Sequence, residues 1–78
     1  MPMSGIVAAK LRARRGLPVP AMRRAIRLNA GLTQSDIAES VGVHRESVAR
    51  WEAGVRNPRG ETLVSYVALL DELRAVEA

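Results

Sequence analysis

The stretch from Leu32 to Gly54, LTQSDIAESVGVHRESVARWEAG, constrains the fold more than any other part of the chain. Two segments inside it carry apolar residues at helical spacing: Ile37, Ala38 and Val41 in the first, Val48 and Trp51 in the second. Gly42 separates them, where the chain must reverse sharply and a positive φ costs a glycine nothing. Ala38 sits where two steeply crossing helices come closest, and a larger side chain there would push them apart. Val48, six residues past Gly42, closes the small core between them. Thr33 caps the first segment, and Asp36, three residues on, makes a shortened capping box. The hydroxyl meets an orphan N–H, and the carboxylate sits in the positive first turn. The predicted unit is two short helices and a tight turn, bounded by Gly31 and Gly54.

The rest of the chain is read around that unit. Its 78 residues suffice for one domain and one modest core. The only aromatics are Trp51 and Tyr66, so the core is aliphatic, which suits packed helices better than a sheet. The chain contains no cysteine, which excludes a disulfide framework and a thiolate metal site. The lone histidine, His44, has no partners at metal-ligating spacing. There is no glycine-rich phosphate loop and no carboxylate pair on a cleft, so neither an enzyme nor a cofactor is expected. No apolar run approaches the ~20 residues of a membrane span, and Ile6 to Ala9 is too short for a signal-peptide core. A cytoplasmic protein without membrane contact is the expectation.

Gly16-Leu17-Pro18-Val19-Pro20 is the one clear breaker. Before it, residues 1–19 read as a basic arm, disordered or partly helical. Ser4 would cap a helix running to about Arg15, with Val7, Ala8 and Leu11 at helical spacing and Gly16 ending it. Pro20 suits the first turn of the next helix, which runs to about Ala30. Met22 and Ile26 are expected to face the core, and Arg23, Arg24 and Arg27 to point outward. The second helix of the unit spans roughly Arg45 to Ala53, with Trp51 in the core and Glu52 outside. After a loop from Val55 to Gly60, a last helix runs from near Glu61 to Arg74 or beyond. Leu63, Val67 and Leu70 form one stripe on it, and Tyr66, Leu69 and Leu73 a neighbouring one.

Charge is graded along the chain. Residues 1–30 sum to +7 with no acid, residues 31–60 to zero, and residues 61–78 to −3. Eleven of the twelve bases are arginine. The basic third suits a polyanion, nucleic acid being the usual one, or is a solvated arginine-rich surface.

The segment Gly31-Leu-Thr-Gln-Ser-Asp-Ile-Ala-Glu-Ser-Val-Gly-Val-His-Arg-Glu-Ser-Val-Ala-Arg-Trp-Glu-Ala-Gly54 resembles the phage-repressor/Cro-like helix-turn-helix family, also called lambda-repressor-like or XRE. The resemblance covers roughly Val19 to Leu70. It implies an all-α, compact four- to five-helix DNA-binding domain over residues 20–78, its helix-turn-helix near residues 33–53, with residues 1–19 as a basic extension of this chain's own.

The resemblance also assigns roles. His44, Arg45, Glu46 and Arg50 would read bases. Arginine pairs with guanine O6 and N7 in the major groove, and each good bidentate pair gives ~1–3 kcal/mol of discrimination. Glu46 either accepts from cytosine N4 or, the favoured reading, braces Arg50 at i,i+4. His44 is either the N-cap of that helix or a groove contact. Gln34 and Ser47 would hold the phosphate backbone, with Arg56 and Arg59 clasping adjacent phosphates. Arg23 and Arg27 are either further phosphate contacts or solvated surface. Lys10, Arg12, Arg14 and Arg15 would let the arm track phosphates or enter a minor groove. Alternatively, Ile6, Val7 and Leu11 make a dimer contact, or the arm is a passive tail.

The implied partner is double-stranded DNA, bound by a homodimer that forms in solution or only on DNA. Two recognition helices ~34 Å apart would then meet an inverted repeat. Tyr66, Leu69 and Leu73, beside Glu72 and Glu77, are candidates for the dimer interface or for a protein partner. The expected function is a transcriptional regulator of the Cro/repressor type. The alternatives are an antitoxin that represses its own promoter and a recombination or architectural factor that bends DNA.

Overall fold

Five helices account for most of residues 4–76, which are the residues described by the computed structural model. No strand occurs among them. Glu77 lies outside the described residues, as do the first three residues of the expected arm.

Helix α1, Gly5–Gly16, occupies the region for which helix and disorder were both open. Ser4 caps it as expected, its hydroxyl accepting from the Val7 N–H at 3.3 Å. Arg14 and Arg15 lie in the last turn, where cations suit the negative end of the helix dipole. Gly16 is the final helical residue but takes no positive φ, and Leu17 continues in an extended conformation. The helix packs against the last helix. Its buried residue is Ala13, which joins Leu63 and Val67 in a second, smaller core with Leu17 and Val64 beside it. Val7 is exposed, while Ala8 and Leu11 are half-buried.

Helix α2, Pro20–Asn29, starts with proline at its first position. Its inward face is Arg23, Ile26 and Arg27, and Met22 is 46% exposed. Ile26 thus lies where expected, but the face is turned by one residue, from Met22 to Arg23. The reason is the set of backbone and side-chain oxygens beneath α2. Guanidinium donors can satisfy them, whereas a methionine would leave them unpaired at roughly 1–3 kcal/mol each.

Helices α3, Gln34–Val41, and α4, Arg45–Ala53, form the expected pair. Both halves of the Thr33/Asp36 capping box are present. Asp36 N–H donates to the Thr33 hydroxyl at 3.0 Å, and Thr33 N–H donates to the Asp36 carboxylate at 2.8 Å. Donation from the Thr33 backbone N–H, and after it from the Thr33 side chain, holds the Asp36 carboxyl below its ordinary pKa. Gly42 closes α3 at φ 82°. Ala38 and Val48 are buried, as the crossing requires. Gly54 ends α4 at φ 76°, and a Cβ there would come within 3.1 Å of the Pro20 ring.

Helix α5, Gly60–Val76, carries the floor of the core. Ile26, Ile37, Ala38, Val48, Trp51, Tyr66 and Leu70 form the main cluster. Burial of each large aliphatic or aromatic side chain contributes about 1.5–3 kcal/mol. The Trp51 and Tyr66 rings lie 4.7 Å apart, tilted by 49°. Tyr66 is 1% exposed, so it belongs to the core and not to an interface. The expectation that it faces a partner is corrected: Trp51, reaching in from α4, covers it. Leu69 and Leu73 are half-buried against the same cluster.

Candidate nucleic-acid interface

The site begins with the exposed side of α4. Val48, Trp51 and Glu52 face the interior, which leaves Arg45, Glu46 and Arg50 in solvent and Ser47 half-buried. His44 is the N-cap residue, extended at φ −77° and ψ 149°, and its exposed side chain makes no capping bond. The four expected base-reading residues are therefore all exposed.

A chain of hydrogen bonds fixes part of that surface from within. Arg27 meets Glu52 through two parallel bonds, Nε to Oε2 at 2.7 Å and Nη2 to Oε1 at 2.9 Å. Its Nη1 donates to the Leu32 carbonyl at 2.9 Å, tying the end of α2 to the entry of α3. Glu52 Oε1 also accepts from Gln34 Nε2 at 3.2 Å. Gln34 Oε1 in turn accepts from Arg45 Nη1 at 3.2 Å. A buried ion pair is thereby connected, through one amide, to the first residue of α4. Burial pushes the Glu52 carboxyl up, but hydrogen bonds from Arg27 and Gln34 and the charges of Arg27 and Arg24 outweigh it, so the pKa is lowered.

These contacts correct three expectations. Arg23 and Arg27 do not point outward: they are 4% and 7% exposed. Arg23 donates to the carbonyls of Pro18 and Trp51 and to Asn57 Oδ1, at 2.6, 2.8 and 3.0 Å. Neither arginine presents its guanidinium to a phosphate, because both tie helix ends together inside the domain. Glu52 is not outside either, being 8% exposed and opposite Arg27. Glu46 makes no ion pair with Arg50, and Arg27–Glu52 is the single ion pair among the described residues. Gln34 has both ends of its amide engaged, Nε2 with Glu52 and Oε1 with Arg45.

A second surface lies beside the first. Arg56 and Arg59 are exposed on the loop between α4 and α5. With Ser47 and Arg50 they line an open groove of about 1160 Å³, which Lys10 and Arg14 of α1 also line. Of the four cations expected on the arm, Lys10 and Arg14 thus join the site. Arg12 and Arg15 are exposed and do not line it.

Sequence reasoning missed the Arg27–Glu52–Gln34 chain. Its signal was the spacing of Arg23, Ile26 and Arg27, which share one helical stripe with an apolar residue at its centre. Among the described residues no cluster of three or more potential metal ligands occurs, and no helix is long and apolar enough to cross a membrane. The helix-turn-helix family matches residues 24–74, more than half of the chain, starting within α2 and leaving α1 outside. No curated protein and no solved structure matches the chain.

Proposed function

The chain belongs to the helix-turn-helix family and is a DNA-binding transcriptional regulator, and we propose that it acts as a small repressor of the Cro type on an inverted-repeat operator. The observation that carries this reading is the outward side of α4, where His44, Arg45, Glu46 and Arg50 are all exposed and Arg45 donates to Gln34. A guanidinium fixed before binding loses less rotamer freedom on pairing with guanine O6 and N7. Arg50, one turn on, reads a second guanine. Glu46 is exposed and bonded to neither arginine, which supports the direct acceptor role toward cytosine N4. Ser47 contacts the backbone beside these bases, and Arg56 and Arg59 neutralise flanking phosphates. Two copies, meeting in solution or only on DNA, place two α4 helices ~34 Å apart along one face of the duplex.

Selection of bound sites from random duplexes tests the proposal. The expected product is an inverted repeat with G and C in each half-site and centres about one helical turn apart. Recovery of single, asymmetric sites would overturn the dimeric repressor reading. Recovery of no preferred sequence would overturn operator reading altogether.

A further inference from the structure

The groove between α1 and the α4–α5 loop has a composition that solvated surface does not explain. Five cations converge on it from three separate elements: Lys10 and Arg14 from α1, Arg50 from α4, and Arg56 and Arg59 from the loop. No aspartate or glutamate lines it. None of the five makes an ion pair among the described residues, nor does any donate a side-chain hydrogen bond inside the groove. Its walls include apolar surface from Trp51 and Leu63. Like charges gathered in a concavity with low-dielectric walls repel one another and focus a positive potential, which an entering anion relieves.

The groove opens beside the reading surface, because Arg50 belongs to both. Lys10 and Arg14 are one helical turn apart on α1, on the same side of it. That helix is seated on α5 through Ala13, Leu63 and Val67, so its two cations stand on a fixed support rather than a loose tail. A fixed support reduces the ordering cost of a contact.

We propose that this groove is a clamp for the phosphodiester backbone of the bound duplex, in which Lys10 and Arg14 of α1 close on phosphates flanking the half-site from the side opposite Arg56 and Arg59. The clamp rests on the operator-binding reading above. It adds a backbone contact from α1, which lies outside the part of the chain that the family covers.

Binding of the full chain to a selected operator duplex, measured by fluorescence anisotropy over a series of salt concentrations, tests it with two matched double variants. K10Q/R14Q removes both groove cations of α1, and R12Q/R15Q removes two cations of the same helix that do not line the groove. Glutamine is a good helix former, so α1 persists in both, and circular dichroism checks that it does. The wild-type slope of log K against log salt should become shallower in K10Q/R14Q by about 1.8 per bound copy, so by about 3.6 for two copies on an inverted repeat, ~0.9 for each phosphate no longer neutralised. It should change much less in R12Q/R15Q, and K10R/R14K should keep the wild-type slope. An unchanged slope in K10Q/R14Q overturns the clamp, and so do equal reductions in the two glutamine variants, which would show a diffuse field. Inorganic phosphate is titrated into the free protein as a third arm. Saturable binding that K10Q/R14Q abolishes, with its operator slope unchanged, would make the groove a small-anion site instead. If the wild-type chain binds no duplex, the operator reading fails and takes the clamp with it. If it binds and only the slopes disagree, the clamp alone fails.

Discussion

Two sets of arginines in this small domain make opposite use of the same side chain. Under α2, Arg23 and Arg27 are buried and surrounded by acceptors: the carbonyls of Pro18, Leu32 and Trp51, the Asn57 amide and the Glu52 carboxylate. Around the groove, Arg14, Arg50, Arg56 and Arg59 are exposed and have no acid among them. The interior set converts charge into architecture, because each guanidinium fork joins several chain segments at once. The groove set keeps its charge available. What separates them is the supply of partners, which depends on helix phase and not on residue type.

The largest test of this contrast is Glu52→Ala. It leaves the Arg27 guanidinium buried without its carboxylate, and removing one partner of a buried pair costs about 3–5 kcal/mol. Urea or thermal unfolding should show a loss of that order, enough to unfold much of a domain this size. Replacing Arg27 and Glu52 together by apolar residues of similar volume should recover most of it. Acid probes the same bond. Since the Glu52 pKa is lowered in the folded state, its contribution is whole above the ordinary carboxyl value of 4.5 and is lost as pH falls through the folded-state pKa. The apolar double variant should lose that acid sensitivity, and equal sensitivity in both proteins would deny the pair its role.

Arg50→Ala addresses the other side. It should reduce discrimination at one G·C pair by ~1–3 kcal/mol in competition binding. Its unfolding free energy should move by no more than about 0.5 kcal/mol, because an exposed, unpaired side chain supports nothing. A stability loss comparable to that of Glu52→Ala would erase the distinction between the two sets.

Tyr66→Phe should produce the smallest change. The Tyr66 hydroxyl is buried with no hydrogen-bond partner among the described residues, and burial pushes its pKa up to about 12. Removing an unsatisfied hydroxyl while keeping the ring should alter stability by less than ~1 kcal/mol, in the stabilising direction. A clear destabilisation in calorimetry would mean that the hydroxyl has a partner in solution.

The turn and cap chemistry of the central unit is legible in the sequence, because it is local. Thr33 and Asp36 lie three residues apart, and Gly31, Gly42 and Gly54 each take the left-handed conformation that their positions suggest. Spacing alone places Trp51 and Val48 in the core. The errors arise where burial depends on what another helix brings. Hydropathy assigns arginine and glutamate to the surface, so Arg23, Arg27 and Glu52 are recognisable as interior only together, across two helices far apart in sequence. On α5, apolar residues run most of the way around. Which stripe is innermost is decided by Trp51 arriving from α4 to cover Tyr66. The division of the α1 cations is equally hidden. Lys10 and Arg14 part from Arg12 and Arg15 only once Ala13 is docked on Leu63 and Val67.

On the proposed base-reading role of Arg45, its bond to Gln34 makes fidelity depend on the interior. A substitution at Arg27 would free Glu52, then Gln34, and finally the Arg45 guanidinium, which on the proposed reading addresses a base pair. Such a protein, rescued by compensating changes elsewhere, would fold and still misread its site. On that reading, mutational drift in the heart of this domain is a route to new operators, open to lineages whose DNA-facing residues never change.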